Sequence, residues 1–153
     1  MKGRHKAWLA AACLAFAGSA AAQGPQAACP ASGAELPLEA LFGDWEARID
    51  GTQGVAKVKL DQHPDYAGVR GTITRKGVDS VQTTVAQLAG DIDDDGMLSL
   101  DESLDGRAIS GVWLGALEPA SCGREFKGVW RDAANDSTHP FVLNKIGNSA
   151  TDR

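Results

Sequence analysis

From residue 42 onward the chain repeats one pattern: a short run of alternating apolar and polar residues, then a turn signal. Residues 42–50 (FGDWEARID) place Trp45, Ala47 and Ile49 on one face and end at Asp50-Gly51, a hairpin dipeptide. Residues 55–60 (VAKVKL) set Val58 and Leu60 against solvated lysines, and His63-Pro64-Asp65 breaks the run. Residues 66–75 (YAGVRGTITR) carry Val69, Gly71 and Ile73 on one side, with Lys76-Gly77 as the next turn. Residues 97–103 (MLSLDES) alternate again before Asp105-Gly106. Residues 107–117 (RAISGVWLGAL) put Ile109, Trp113 and Leu117 on one face, and 125–131 (EFKGVWR) do so with Phe126 and Trp130. Residues 141–146 close the series. A period of two predicts strands with one face on a core. Only 78–89 is ambiguous: its β-branched, Thr-rich composition predicts a strand, yet Val81, Val85 and Leu88 also have helical spacing.

The pattern therefore predicts an all-β fold of about eight short strands joined by hairpin-length links. A small antiparallel up-and-down barrel is the expected architecture, because closure removes exposed sheet edges. A two-sheet β-sandwich is the alternative. Gly68, Gly71, Gly111, Gly115 and Gly128 inside the runs fit the bends of a small barrel, or close backbone packing.

The first residues differ in kind. Lys2, Arg4 and Lys6 precede an apolar run over 8–16, and Ala20-Ala21-Ala22 follows as a cleavage signal. That order predicts a secretory signal peptide over 1–22. The run is shorter than the about 20 apolar residues a membrane anchor needs. A lipoprotein carrying its lipid on Cys13 would want a bulky residue where Ala10-Ala11-Ala12 stands. The expected organisation is a signal peptide at 1–22, a flexible N-terminal segment at 23–37 and a single β-rich domain at 38–150. The protein is expected to be exported, periplasmic or secreted, with no membrane span in the mature chain.

Charge and cysteines narrow the partners. The whole chain carries −5, and the signal removes three cations. An acidic domain of this size is a poor partner for nucleic acid or an anionic membrane surface. Of three cysteines, Cys13 leaves with the signal. Cys29 and Cys122 remain as an even pair in an oxidising compartment, which predicts a disulfide. A metal or redox pair would need a CxxC-like neighbourhood or clustered histidines. The bridge would tether the N-terminal segment, and closing a loop of about 90 residues gives roughly 4–5 kcal/mol.

Gly43-Asp44-Trp45, near the start of the first run, resembles the Gly-x-Trp opening of the lipocalin and avidin-like (calycin) barrels. The resemblance implies an exported eight-stranded meander holding a small ligand in the barrel mouth. The avidin pattern of biotin-reading polar residues and the later lipocalin motifs are absent from the sequence. Trp45, Trp113 and Trp130 are candidates to line a cavity for a small apolar ligand, and at strand spacing they equally read as core.

Residues 91–102 (DIDDDGMLSLDE) resemble the twelve-residue calcium loop of the EF-hand family. The resemblance implies Asp91, Asp93 and Asp95 as the first, third and fifth ligands, with Gly96 at the sharp turn. Met97 would offer its carbonyl, Ser99 would bind through water, and Glu102 would give two oxygens. Alternating acids around a tight turn suit a hard cation that takes six to eight oxygens. That family flanks its loop with helices. Residues 81–89 could supply the first, whereas Asp105-Gly106 leaves hardly a turn for the second. The same residues also read as a hairpin with Asp95-Gly96 at its tip, Leu98 and Leu100 on the core, and Glu102 moving off along a strand.

No Gly-x-Ser-x-Gly, His-Glu-x-x-His or phosphate-cradling glycine loop is present. His63 and His139 each adjoin a proline and read as turn residues, and Ser110 has no visible base. The expectation is a non-enzymatic domain whose candidate partners are calcium, a small apolar ligand, or a protein bound in the manner of an exported inhibitor.

Overall fold

The computed structural model describes residues 28–77 and 81–147. The predicted signal peptide, 1–22, lies outside the described residues. The strands are β1 (Gly43–Ile49), β2 (Ala56–Gln62), β3 (Val69–Lys76), β4 (Thr83–Ile92), β5 (Met97–Ser103), β6 (Gly111–Leu117), β7 (Glu125–Asp132) and β8 (Thr138–Gly147). Each pairs antiparallel with the next, and β8 returns to β1, so the sheet closes into an up-and-down barrel. The sandwich alternative is excluded.

Alternation builds the interior. Trp45, Ala47 and Ile49 of β1 point inward, as do Val58 and Leu60, Ile73, Leu98 and Leu100, Trp113 and Leu117, Phe126, Phe141 and Leu143. Burying each large apolar side chain contributes about 1.5–3 kcal/mol. The ambiguous segment is strand: Ala86 and Leu88 are buried while Val81 and Val85 are 84% and 53% exposed. β4 then runs on through Asp91 and Ile92. Gly115 faces Gly128 across β6 and β7, and the space Gly115 leaves holds the Phe141 ring, which a Cβ there would meet at 2.7 Å.

Two expectations need correction. The alternation predicts a strand beginning at 107, but β6 begins at Gly111 and Ile109 is half exposed. Asp105 is the cause. Its Oδ1 accepts the N–H groups of Arg107 and Ala108 at 2.8 and 2.9 Å, which holds 105–108 as a turn. Likewise His139-Pro140 lies inside β8, not in a turn. Pro140 accepts the Asp50 N–H on its carbonyl but has no N–H to return. The His139 ring supplies the missing donor, with Nδ1 3.0 Å from the Asp50 carbonyl. That carbonyl can only accept, so Nδ1 carries a hydrogen, and Nε2 hydrogen-bonds the Ser137 hydroxyl at 3.1 Å.

The barrel ends differ. At one end a short 3₁₀ turn, Leu38–Leu41, closes over the core. Trp45 donates its indole N–H to the Leu41 carbonyl at 2.8 Å. Lys145 donates to the Ala40 carbonyl and stands 5.3 Å over the Trp45 ring. Burial, and then the Arg124 charge, hold the Lys145 ammonium below its ordinary range. Cys29 and Cys122 form the predicted disulfide at this closed end, joining positions 93 apart in the chain. The tethered segment packs closely: a Cβ on Gly33 would lie 2.2 Å from the Gly96 carbonyl in the β4–β5 turn. The opposite, open end carries the loops 50–55, 104–110 and 133–137.

Candidate functional site

The Asp-rich segment forms a hairpin tip at the closed end. Asp93 donates its N–H to Met97 at 3.0 Å, and Gly96 donates to Asp93 at 2.9 Å. Gly96 has φ +80°, the left-handed conformation that closes such a turn. The Asp93 carboxylate is used within the turn, accepting the N–H groups of Asp95 at 3.0 Å and Met97 at 2.8 Å. Strands flank it on both sides, so neither helix of the calcium-loop resemblance is present. Asp91 stands opposite Ser99 on the outer face. The period of two turns Leu98, Leu100 and Glu102 inward, and Glu102 travels to the open end. The candidate ligands Asp91, Asp93, Asp95, Met97 and Ser99 therefore stay near the turn, and Glu102 does not join them. Among the described residues, no three His, Cys, Asp or Glu side chains stand together as metal ligands would.

Glu102 instead anchors a polar cluster inside the open end. It is 2% exposed. Arg75 grips it with both guanidinium nitrogens, at 2.7 and 2.8 Å, and Trp113 donates its indole N–H at 3.0 Å. A two-pronged guanidinium on a carboxylate fixes direction as well as charge. The Arg75 guanidinium lies 6.0 Å from the Trp113 ring and 5.5 Å from the Trp130 ring. Trp130 rests over Gly111, where a Cβ would meet its Nε1 at 2.4 Å, and that buried nitrogen has no hydrogen-bond partner. A hollow of about 320 Å³ lies at this rim, walled by Ile49, residues 51–56 and 76–77, with Arg75 at its base.

The three candidate tryptophans do not line one cavity. Trp45 packs on Phe126 at the closed end, ring centres 5.9 Å apart. Trp113 and Trp130 meet at the open end, 6.4 Å apart, with Phe141 on Trp113 at 4.9 Å. Between the ends Leu60, Ile73, Leu98, Leu100 and Leu143 fill the space, each at most 1% exposed.

A further concavity is on the outside. A groove of about 700 Å³ crosses the outer face of β2 to β5, between the loop carrying His63, Pro64 and Asp65 and the loop carrying Gly106 and Arg107. Strand register sets its floor as two rows. One reads Asp61, Arg70, Ala89, Asp101, and the other Lys59, Thr72, Gln87, Ser103. Near its lower wall, His63 stacks on Tyr66 with ring centres 3.9 Å apart. Burial, and then the charges of Asp91 and Asp101, raise the Tyr66 phenol above its ordinary range. Sequence reading misses this groove. Its residues sit at outward positions of four strands, each of which locally resembles a solvated face. The one local hint is Ala89, a small residue at an outward position of a strand.

No protein-family model matches the chain, and no curated protein matches it.

Proposed function

We propose that this protein is an exported, non-enzymatic binding domain that holds its ligand on the outside of the barrel, in the groove across β2 to β5. The observation that carries the reading is the groove itself, a concavity of about 700 Å³ lined by charges of both signs and neutral hydrogen-bonding side chains. That volume lies within the about 300–1,000 Å³ of known ligand sites. The packed interior supports an external site, since Leu60, Ile73 and Leu100 occupy the space a carried molecule would need.

Two of the groups that acid–base catalysis could draw on have structural duties. Glu102 is held by Arg75 and Trp113, and His139 replaces the missing donor of Pro140. The Cys29–Cys122 disulfide and the N-terminal sequence support export. Calcium is not part of the proposal, because the Asp93 carboxylate closes its own turn and Glu102 lies elsewhere.

A second reading is a small ligand in the calycin manner, at the open rim. The hollow of about 320 Å³ above Arg75 favours it. Amide NMR of the disulfide-intact chain separates the two. Pools of free amino acids, short peptides, oligosaccharides and fatty acids are added, and shifted amides are mapped. Shifts clustered at Lys59, Arg70, Ala89 and Asp101 are expected. Shifts at Ile49, residues 51–56 and the Trp113 indole would move the site to the rim and overturn the proposal.

A further inference from the structure

We propose that the groove takes a peptide segment bearing neighbouring opposite charges, its anionic group on Arg70 and its cationic group on Asp101, bridged over Ala89. The inference rests on the groove being the binding site. The register sets Arg70, Ala89 and Asp101 side by side on β3, β4 and β5. Two strand spacings put Arg70 and Asp101 about 10 Å apart at the backbone. Ala89, with only a methyl for a side chain, is the residue between them in the register. Among the described residues, neither Arg70 nor Asp101 takes part in an ion pair. Opposite charges are thus displayed with a gap between them.

The remaining charges select against ligands of one sign. A purely anionic ligand drawn to Arg70 meets Asp101 in the same row. A purely cationic one drawn to Asp101 meets Arg70 and, at the groove wall, Arg107. A segment carrying both charges satisfies both partners, and the wrong polarity of neighbours costs it less. The second row suits a peptide backbone, since Thr72 and Gln87 offer donors and acceptors to amide groups. Strand addition is excluded as the binding mode, because the closed barrel has no free edge. Side chains must do the holding.

The test is amide NMR on the disulfide-intact chain with four blocked tetrapeptides, Gly-X-Y-Gly, in which X-Y is Lys-Glu, Lys-Lys, Glu-Glu or Ser-Ser. The Lys-Glu peptide is expected to shift the amides of Arg70, Ala89 and Asp101 at millimolar concentration, at least about tenfold more tightly than the others. Asp101→Asn should remove that preference and leave Glu-Glu the better ligand. Ala89→Trp should abolish binding, with unchanged β-strand amides elsewhere showing that the barrel is intact. Equal binding of Lys-Glu and Glu-Glu, or no effect of Asp101→Asn, would overturn the charge-pair inference while leaving the groove as the site. Groove amides unmoved by all four peptides but shifted by an oligosaccharide would do the same. Shifts confined to the open rim would overturn both.

Discussion

Removing the carboxylate of Glu102 tests the open-end cluster directly. Glu102→Leu puts an apolar side chain at this inward position and strips Arg75 of its counter-charge. The Arg75 side chain is 24% exposed, so water recovers part of its solvation, and Trp113 loses the acceptor of its indole N–H. Breaking a fully buried pair from one side costs about 3–5 kcal/mol. The partial exposure argues for the lower end, about 3 kcal/mol. Arg75→Met leaves the more deeply buried partner unpaired and should cost as much or more. Removing both together leaves no stranded charge, only the unpartnered Trp113 N–H, a residual of about 1–2 kcal/mol. The expected coupling between the two sites, the singles summed less the double, is therefore about 4 kcal/mol. Urea unfolding of the disulfide-intact single and double variants, followed by tryptophan fluorescence, gives all four corners of the cycle. A loss of about 3 kcal/mol corresponds to a melting temperature lower by roughly 10 °C at this chain length. The reasoning fails if Glu102→Leu costs less than about 1 kcal/mol, or if the double variant is as unstable as the singles summed.

Three further outcomes are expected. Cys29→Ser with Cys122→Ser should lower the unfolding free energy by up to about 5 kcal/mol while leaving the strand amides in place, and an unchanged urea midpoint would remove the tether from the account. Gly33→Ala forces a methyl against the Gly96 carbonyl; a loss of about 1–3 kcal/mol and faster amide exchange over 33–36 are expected, whereas wild-type exchange rates there would refute the close packing. Tyr66 is the chain's one tyrosine, so ultraviolet absorbance should show phenolate forming above the ordinary range, and Asp91→Asn with Asp101→Asn should bring the midpoint down only part of the way because burial is the larger cause. The sign follows: an unfolded phenol ionises first, so stability drains as pH climbs from that ordinary range toward the raised value. A midpoint at or below the ordinary value would contradict the placement of the ring.

The inward faces were legible because each is written locally. Trp45, Ala47 and Ile49 alternate within seven residues, and their neighbours across the barrel alternate in phase with them. Ile109 misled because alternation continues through 107–110, where a single carboxylate oxygen of Asp105 outcompetes the ladder for backbone N–H groups. Residues 91–102 were ambiguous for a deeper reason. Acids at the first, third and fifth positions of a calcium loop have the same period as one face of a strand. What distinguishes the two is the destination of Glu102, and its partner Arg75 lies 27 residues earlier. No window around the loop contains that information. The groove is harder still, since its floor draws two residues from each of four strands that only register brings together.

The position of the disulfide in the chain sets an order of events. One cysteine precedes β1 and the other follows β6. A chain synthesised from its N-terminus cannot make this bond until six of the eight strands have been made. The bond therefore cannot guide the first hairpins as they are made. Early strands must choose their neighbours by alternation and turn chemistry alone, and the thiols then record that the choice was right.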